Sequence, residues 1–375
     1  MYTVSLERSP TYDYPALRAA MERLLMPLGG MAAFVRPGER VLLKPNMLSA
    51  KPPEAAVTTH PSVLRAAIEL VKDAGAIPLV GDSPGIGGTR RVAERSGMLS
   101  VIEETGATLV PFEETRETAG GGTFRRFALA VPYLEADRVI NLPKLKTHEM
   151  MTMTCAVKNL FGAVVGAEKP AWHLQAGADR ELFARMLLEI YQLRPPDLTI
   201  VDAVVAMEGS GPASGDPRQV ELLMAGANAV AIDVIAAEIA GIPKKLLFVE
   251  RQAEKLGVAG ADRAAISMVG LSLDEIRVTP FRLPPLADVQ FGVPRVLRER
   301  LRHHLTTRPV PIPEKCRLCG ICRDACPPGA MEIRDGRLLI DYRRCIRCFC
   351  CRELCPDGAL TVREGGILKL LKRLM

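Results

Sequence analysis

Residues 316–327 read Cys-Arg-Leu-Cys-Gly-Ile-Cys-Arg-Asp-Ala-Cys-Pro, and residues 345–356 read Cys-Ile-Arg-Cys-Phe-Cys-Cys-Arg-Glu-Leu-Cys-Pro. Both stretches contain the pattern Cys-x2-Cys-x2-Cys-x3-Cys-Pro, and each cysteine of the first copy maps onto the second at one constant offset. Nine of the ten cysteines in the chain lie in these two stretches. Neither a chance scatter nor a disulfide framework would produce such a repeat, so the pattern predicts a duplicated metal-binding unit.

The spacing within each copy follows from coordination chemistry. Three thiolates separated by two residues can wrap one face of an iron–sulfur cube, and in this motif the fourth cysteine of each run ligates the other cluster. We therefore expect a two-cluster ferredoxin module that binds two 4Fe–4S clusters. Cluster I is expected to be bound by Cys316, Cys319, Cys322 and Cys355, and cluster II by Cys345, Cys348, Cys351 and Cys326.

Structural zinc is the alternative metal for paired cysteines. Zinc takes four ligands per ion from two separated pairs, and the doubled motif favours clusters instead. Cys350 does not fit the repeat, and we interpret it as a small buried residue beside a cluster. Cys155 lies far from the module and is interpreted as a packed thiol rather than a nucleophile, because the sequence assigns it no activating partner.

The length and composition of the chain indicate a globular protein of at least two domains. The 375 residues exceed what a cluster module needs, and about three hundred of them precede the first predicted ligand. Hydrophobic residues make up 48% of the chain and charged residues 25%, which is typical of a folded protein and not of a disordered one. The formal net charge of +6 counts every cysteine as neutral, and two bound clusters would bring the holoprotein closer to neutrality.

Three other classes of protein are not indicated. No basic stripe interleaved with aromatic residues predicts nucleic-acid binding. The first residues lack the charged-then-apolar pattern of a secretory signal, so we expect a cytoplasmic location. The longest apolar stretch, residues 225–242, contains Asp233 and Glu238 and predicts a buried helix rather than a membrane span. An unpaired buried carboxylate is costly, so we expect Asp233 to have a partner, for example a lysine of the site.

The first 285 residues alternate short β-branched runs with helical patterns. Residues 40–43, 77–80, 138–142 and 198–201 are the clearest strand candidates, and residues 61–75 carry a helical apolar stripe closed by glycine. A strand, a helix and a strand in succession are typical of parallel strands joined by crossover helices. We therefore predict an α/β fold with a mostly parallel sheet, followed by a small α+β dicluster ferredoxin-like domain.

Polar residues follow each of these strands at the point where it ends. In open α/β sheets the ligand crevice lies beyond the carboxyl ends of the strands. The predicted architecture therefore gathers one polar set at one edge of the sheet: Lys44, Asn46, Asp82, Ser83, Lys144, Lys146, His148 and Asp202. This edge is predicted to carry the functional site.

Two later segments add polar residues to the same edge. Residues 158–173 are predicted to form a loop or lid over the crevice. Residues 208–215 are predicted to form a glycine-rich loop whose backbone amides could cradle an anion. The polar residues that these segments contribute are Lys158, Asn159, Lys169, His173 and Glu208.

Six short motifs give the chain a family resemblance. They are Lys-Pro-Asn at Lys44, Gly-Asp-Ser at Gly81, Pro-Lys-Leu-Lys-Thr-His at Pro143, Lys-Asn-Leu-Phe-Gly at Lys158, Met-Glu-Gly-Ser-Gly-Pro at Met207 and Ala-Ile-Asp at Ala231. Through them residues 41–241 resemble the proteins grouped as domain of unknown function 362, which often carry a carboxyl-terminal ferredoxin. The resemblance implies an α/β domain with a polar site and a bound iron–sulfur pair, and it implies no reaction.

The residue types at the predicted site suit a small anionic substrate. Lysine and histidine bind carboxylate and phosphate groups, and the acidic residues can hold these cations, bind a metal or move protons. The candidate catalytic residues are Lys144, Lys146, His148, Asp82 and Asp202. The candidate substrate-binding residues are Lys44, Asn46, Ser83, Lys158, Asn159, His173 and Glu208. The alternative is that several of these lysines are solvated surface charges and that His60 only caps a helix.

We predict four segments along the chain. They are an α/β domain at 1–285, a basic, proline-rich linker at 286–313, a ferredoxin domain at 314–363 and a basic amphipathic tail at 364–375. A short helix is expected at residues 296–305, and Asp335-Gly336 between two apolar runs predicts a hairpin. The tail is expected to pack on the main domain rather than to dock on a membrane or a partner.

Three functional hypotheses remain open. The first is an iron–sulfur oxidoreductase that passes electrons through the two clusters to or from the small anionic substrate, with a redox protein as donor or acceptor. The second is an electron carrier whose α/β domain docks a redox partner. The third is a non-redox enzyme with structural clusters. A polar crevice joined to a cluster module favours the first hypothesis, without a nucleic-acid partner or a membrane span.

Overall fold

The chain folds into a main domain and a small C-terminal module. The computed structural model describes residues 1–85, 87–166, 168–177, 179–276, 279–284 and 306–366. We call the described residues up to 284 the main domain and residues 306–366 the module. The predicted helix at 296–305 and most of the predicted tail lie outside the described residues, which leave out 285–305 and 367–375.

The described residues form sixteen strands. Those of the main domain are β1 (Tyr2–Arg8), β2 (Arg40–Pro45), β3 (Ile77–Val80), β4 (Thr108–Leu109), β5 (Thr115–Ala119), β6 (Arg126–Ala130), β7 (Arg138–Leu142), β8 (Lys144–His148), β9 (Thr152–Thr154), β10 (Leu198–Glu208), β11 (Asp216–Gly226) and β12 (Ile266–Gly270). Those of the module are β13 (Arg308–Pro311), β14 (Met331–Arg334), β15 (Arg337–Ile340) and β16 (Leu360–Arg363).

The same ranges contain twelve α-helices. Those of the main domain are α1 (Tyr14–Leu25), α2 (Pro61–Asp73), α3 (Thr89–Arg95), α4 (Met98–Thr105), α5 (Val131–Glu135), α6 (Ala156–Asn159), α7 (Glu168–Ala176), α8 (Arg180–Leu193), α9 (Ala229–Ile239) and α10 (Phe248–Lys255). Those of the module are α11 (Ile321–Asp324) and α12 (Cys350–Glu353). Among the described residues, none of these helices has both the length and the apolar character needed to cross a membrane.

A ten-stranded sheet organises the main domain, in the order β12-β1-β11-β10-β7-β2-β3-β4, with β8 beside β10 and β9 beside β8. The run from β10 through β7, β2 and β3 to β4 is parallel, whereas β11 is antiparallel to both of its neighbours. The predicted strands correspond to β2, β3, β7 and the first part of β10. The predicted α/β fold with a mostly parallel sheet is therefore confirmed.

Helices cover both faces of this sheet. In β2, Val41 and Leu43 belong to one buried apolar cluster and Leu42 to the other, because successive strand residues point to opposite faces. The first cluster includes Leu17 of α1, and the second includes Phe183 of α8. The parallel strands are thus buried on both sides, and their polar groups are confined to the strand ends.

His60 lies at the start of α2, where its side chain has a structural role. His60 Nδ1 accepts a hydrogen bond of 3.1 Å from the Ser62 N–H, and Pro61 occupies the first helical position. A side-chain acceptor followed by proline satisfies a free N–H and presets the helical backbone. His60 therefore caps this helix, as its alternative interpretation predicted.

The module is built from two short antiparallel pairs, β13 with β16 and β14 with β15. The predicted hairpin is present, and Asp335 and Gly336 both have positive φ values, 51° and 69°, as a type I′ turn requires. Residues 308–311, which we assigned to the linker, form β13 instead. A strand with prolines is tolerated there because β13 has a partner on only one side.

Candidate functional site

A crevice lies where the main domain meets the module. Its volume is about 100 Å³, which is well above the roughly 10–15 Å³ that a cavity needs to hold one water molecule. It lies beyond the carboxyl ends of β2 and β3, with β8 along one side, and α12 of the module forms part of its wall. The module residues that line it are Cys350, Glu353 and Leu354.

The structure brings eight of the twelve candidate main-domain residues to this crevice. They are Asn46, Asp82, Ser83, Lys146, His148, Lys158, Asn159 and His173. The other four, Lys44, Lys144, Asp202 and Glu208, do not line it. Lys169, which the sequence placed in the lid, also lines the crevice.

Three lysines give the crevice a positive character. In the described part of the chain, no carboxylate oxygen lies within 4 Å of the Nζ atoms of Lys146, Lys158 or Lys169. Lys146 donates instead to Asn46 Oδ1 (2.9 Å) and to the Val57 carbonyl (2.7 Å). Lys169 donates to the carbonyls of Ser83 and Pro84. A negative charge in the crevice would therefore meet ammonium groups whose charge is not neutralised.

Burial and mutual repulsion weaken the hold of these lysines on their protons. Burial, with the nearby Lys158 and Lys144 charges, lowers the pKa of Lys146 to about 7. Burial lowers the pKa of Lys169 to about 7, and it also lowers the pKa of Lys158. A bound anion would oppose each of these shifts, because an opposite charge favours the ammonium form.

A network of side-chain amides positions Lys146. Asn46 Nδ2 donates to Asn159 Oδ1 (2.8 Å), and Asn159 Nδ2 donates to Asn141 Oδ1 (2.8 Å). Asn141 Nδ2 in turn donates to the Ala156 carbonyl (3.0 Å). This chain orients the Asn46 amide oxygen, so that it accepts from Lys146 at the crevice wall.

His148 connects the main domain to the module. Its Nδ1 accepts from the backbone N–H groups of Met150 (3.0 Å) and Met151 (3.2 Å), so the proton of the neutral ring lies on Nε2. Nε2 is 3.1 Å from Oε1 of Glu353 in α12. Burial, with the charge of Lys158, lowers the pKa of His148 to about 4. Burial alone would raise the pKa of Glu353, but His148 and Lys158 lower it to about 2.

The second histidine of the crevice lies among aromatic rings. His173 stacks on Phe183 with ring centroids 4.5 Å apart and meets the edge of Phe161 at 5.9 Å. Its Nδ1 is buried without a hydrogen-bond partner among the described residues. The Lys158 ammonium lies over the same two rings, 5.5 Å from Phe161 and 5.9 Å from Phe183. Both polar groups therefore have hydrogen-bonding capacity left over.

Asp82 lines the crevice, but it is paired with a lysine behind the wall. Its Oδ1 is 2.7 Å from Lys44 Nζ, and its Oδ2 accepts from the Met47 N–H at 2.8 Å. Gly162 packs directly against this pair, and a Cβ there would lie 2.0 Å from Asp82 Oδ1. Burial lowers the pKa of Lys44, and the Asp82 charge opposes that shift.

A second buried pair forms around Asp202, away from the crevice. Asp202 Oδ2 is 2.9 Å from Lys144 Nζ and accepts from the His60 N–H at 2.8 Å. Tyr12 donates to Asp202 Oδ1 (2.7 Å) and accepts from Lys144 (2.7 Å), and its ring stacks on His60. Glu208 likewise lies elsewhere, where it binds Arg218 and Arg282. These candidate residues therefore form ion pairs within the main domain, away from the crevice.

Asp233 is satisfied by the backbone rather than by a lysine. Its two oxygens accept from the N–H groups of Ala156 (2.6 Å) and Val157 (3.0 Å) at the start of α6. Burial raises the pKa of Asp233 to about 7 and that of nearby Glu250 to about 8. Cys155 is buried beside Asp233, and burial raises the pKa of its thiol, so a packed thiol agrees with the structure.

The cysteines of the module gather into two sets. Cys316, Cys319, Cys322 and Cys355 all line one cavity. In the second set, Cys326, Cys345 and Cys351 each interact electrostatically with Cys348. In each set the fourth member comes from the other copy of the motif. In the described part of the chain, no three His, Cys, Asp or Glu side chains converge on a position for a single metal ion.

Three further contacts hold the module against the main domain. Arg352 of α12 forms an ion pair with Glu149, next to the pair between Glu353 and His148. Lys51 donates to the Pro356 carbonyl at 2.6 Å. Leu354 packs so closely on Gly85 that a Cβ there would lie 2.9 Å from its Cδ2. Sequence reasoning missed Glu353 and its neighbours as crevice residues, because no local pattern marks the docking of distant segments.

Two family models match the chain. Residues 41–238 match the domain of unknown function DUF362, and residues 308–356 match a 4Fe–4S dicluster domain. The second match supports iron–sulfur clusters over zinc as the partner of the doubled cysteine motif.

Comparisons with known proteins add a relative and a solved structure. A thylakoid-associated protein of Synechocystis sp. is 41% identical over 302 residues, which cover 80% of this chain and 94% of that protein. The apoprotein of lactate racemase from Thermoanaerobacterium thermosaccharolyticum aligns with a TM-score of 0.42 and 12% identity, over 64% of this chain and 56% of that one. The chain is an iron–sulfur protein with a C-terminal 4Fe–4S dicluster domain and belongs to the DUF362 family.

Proposed function

We propose that the protein is an oxidoreductase that exchanges electrons, through two 4Fe–4S clusters, with a small anionic substrate bound in the crevice. One observation carries the proposal: a turn of the cluster module and the unneutralised lysines of the main domain line the same crevice. The module thus contacts the ligand space directly. A protein that only carried electrons to a partner would not need residues of its cluster module beside a ligand-binding crevice.

The proposed cluster ligands are the two cysteine sets described above. Cluster I takes Cys316, Cys319, Cys322 and Cys355, and cluster II takes Cys345, Cys348, Cys351 and Cys326. When bound, the clusters supply one-electron transfer. A redox protein is the proposed external donor or acceptor.

The anion is proposed to bind to the lysines of the crevice. Lys158 is the main anchor, because its ammonium has aromatic rings around it and, among the described residues, no hydrogen-bond acceptor. Each hydrogen bond from such a charged donor typically contributes about 1.5–3 kcal/mol. The buried Nδ1 of His173 offers a further polar contact beside it. The crevice volume of about 100 Å³ limits the ligand to a small molecule.

The two other hypotheses make different demands on the same residues. In an electron carrier, changes in the crevice leave electron transfer to the natural acceptor unaltered. In a non-redox enzyme, turnover does not depend on the oxidation state of the clusters. Nothing in the crevice geometry favours either one over an oxidoreductase.

The test starts from anaerobically purified holoprotein. The clusters are reduced, excess reductant is removed, and small carboxylates and phosphate esters are added one at a time while the visible absorbance of the clusters is followed. We expect at least one compound to reoxidise the wild-type protein. Lys158→Met should slow this reoxidation by tenfold or more, whereas Lys255→Met, an exposed lysine of α10, should leave it unchanged. Equal rates in all three proteins, or no reoxidation by any compound, would overturn the proposal.

The number and ligation of the clusters can be tested separately. Cys351→Ser is expected to reduce the bound iron by roughly half, because it removes one ligand of one cluster. Cys350→Ala is the matched control, since Cys350 is adjacent to Cys351 but is not a proposed ligand, and this variant should retain the full iron content. Equal loss of iron in the two variants would contradict the ligand assignment.

A further inference from the structure

We propose that Lys146 is the acid–base residue of the crevice, which gives a proton to the substrate and takes it back. The inference rests on the proposed function in assuming that a substrate binds there. It adds a specific role for one of the three crevice lysines. It also separates Lys146 from Lys144, which has the same residue type two positions earlier in β8.

The hydrogen bonds of Lys146 leave one position on its nitrogen free. An ammonium group has three N–H donors, and Lys146 uses two of them, toward Asn46 Oδ1 at 2.9 Å and the Val57 carbonyl at 2.7 Å. The side chain is 1% exposed, and it lines the crevice. The third position on Nζ is thus available to a crevice ligand.

Both acceptors of Lys146 are uncharged, which is what allows the residue to change protonation state. The neutral amine still has two N–H donors, so it can keep both hydrogen bonds while its lone pair takes the third position. Gain and loss of a proton at that position therefore require no rearrangement of the side chain. The amide network through Asn159 and Asn141 holds the Asn46 acceptor in place in either state.

The two lysines paired with aspartate are built differently. Lys44 Nζ is 2.7 Å from Asp82, and Lys144 Nζ is 2.9 Å from Asp202. A carboxylate at this distance favours the ammonium form, so loss of the proton would leave a buried negative charge without its partner. Neither lysine lines the crevice. Both features make them structural cations rather than proton donors.

The charges around Lys146 come from its own strand and from three other elements or their neighbours. Lys158 of α6 and Lys144 of its own strand oppose its positive charge, while Glu353 of α12 and Asp82 after β3 support it. Asn46 and Val57 contribute only neutral oxygens. Burial dominates the balance and lowers the pKa of Lys146 to about 7, where a proton donor is most effective in a neutral solution.

The position of Lys146 distinguishes it from Lys169. Lys169 has a similar pKa of about 7, but the charges that act on it are Asp82, Lys44 and Lys158. Lys146 instead interacts with Glu353, in the turn of the module between two proposed ligands of the clusters. Proton delivery is therefore assigned to Lys146 rather than to Lys169.

In the direction of reduction, the substrate receives electrons from the redox protein and protons from Lys146 and from solvent. A substrate bond that gains two electrons from the external redox protein also gains two protons. One N–H bond of the Lys146 ammonium breaks, a bond from that proton to the substrate forms, and Lys146 becomes an amine. The second proton, and the proton that restores the Lys146 ammonium, come from bulk solvent through water in the crevice.

The test measures the reactivity of Lys146 as an amine in the holoprotein, with no substrate present. Trace acetylation by acetic anhydride is followed over a range of pH, and peptide mass spectrometry reports the label on each lysine. At neutral pH, after correction for accessibility, we expect Lys146 to be labelled about 10³-fold faster than a lysine with the ordinary pKa of about 10.4. The label on Lys146 should reach half of its maximum near neutral pH.

Two outcomes would overturn the assignment. One is labelling of Lys146 that rises only at the alkaline pH expected of an ordinary lysine. The other is a complete lack of labelling, which would mean that no reagent reaches Nζ from the crevice. The result is independent of redox activity, so it can fail while the proposed function holds, and the reverse is equally possible.

Lys146→Arg separates charge from proton transfer once a substrate is identified by the reoxidation assay. Arginine keeps the positive charge but does not release a proton near neutral pH. The variant should bind the substrate within about threefold of the wild type and lose turnover by roughly 10²-fold or more. Unchanged turnover with a shifted KM would show that Lys146 only binds the anion.

Discussion

Five buried or half-buried lysines of the main domain fall into two groups that differ in the partners of their ammonium groups. Lys44 and Lys144 each face an aspartate at less than 3 Å. In the described part of the chain, Lys146, Lys158 and Lys169 have carbonyl or amide oxygens or aromatic rings near their ammonium groups, and no carboxylate within 4 Å. Only the second group lines the crevice. Burial alone thus does not place a lysine at the crevice, and the lysines that line it are those without a carboxylate partner among the described residues.

The difference has a physical basis in the cost of desolvation. A buried charge is tolerated when an opposite charge and hydrogen bonds compensate for the lost water. The paired lysines have that compensation within the fold. The unpaired lysines lack part of it, so an anionic ligand can supply it on binding.

The largest expected effect breaks a compensated pair. Lys44→Met should lower the free energy of unfolding by about 3–5 kcal/mol, because it leaves Asp82 buried without its cation. Urea denaturation measures the change. Adding Asp82→Leu to the same protein should recover part of the loss. A loss below about 1 kcal/mol would mean that the pair is not buried as the structure has it.

A smaller effect is expected from crowding the same pair. Gly162→Ala places a Cβ 2.0 Å from Asp82 Oδ1 and 2.5 Å from Lys44 Nζ, which should cost about 1–3 kcal/mol of stability. Gly121→Ala is the matched control, since its Cβ meets nothing within 4 Å. Equal stability of the two variants would argue against this packing.

The unpaired lysines should make the protein more stable as the pH rises above neutral. The folded-state pKa values of Lys146 and Lys169, about 7, are below the ordinary 10.5, so between these values the unfolded chain binds more protons at these two residues than the folded one. Stability therefore rises with pH in this window, by at most about 1.4 kcal/mol per pH unit for each lysine. Lys146→Met should show a shallower rise than the wild type when urea midpoints are compared. An identical slope in both proteins would count against an unpaired Lys146.

The smallest change in stability is expected at the proposed anchor. Lys158→Met keeps the packing over Phe161 and Phe183 and removes an uncompensated charge. The free energy of unfolding should stay within about 1 kcal/mol of the wild type or rise slightly, in contrast to the loss expected for Lys44→Met. A loss of several kcal/mol would erase the distinction between the two groups.

Much of the fold could be predicted because its signals are local. The β-branched runs at β2, β3 and β7 are bounded by polar residues and glycine, and the stripe of α2 has helical spacing. β8 was not predicted, although Lys144, Lys146 and His148 alternate with Leu145 and Thr147 as strand residues do. The sequence places these polar residues beyond the end of β7, and their burial in a further strand depends on partners elsewhere in the chain.

The location of the candidate site could be predicted, but not which of its residues line the crevice and which form ion pairs elsewhere. Strand ends correctly indicated where the polar residues collect. The sequence contains no sign that Asp202 lies opposite Lys144, or that Glu353 of the module reaches His148. Such contacts join segments far apart in the chain, and they are set by how the elements pack rather than by local periodicity.

The contacts of residues 148–149 with residues 352–353 have a consequence for how the crevice is made. His148 meets Glu353 and Glu149 meets Arg352, so adjacent residues on one side bind adjacent residues on the other. Because the two halves belong to one chain, they meet at an effective concentration that does not fall when the protein is diluted. A few polar contacts are then enough to keep the wall closed. If the linker were cut, the same contacts would have to act between separate molecules, and we expect the binding site to be lost on dilution.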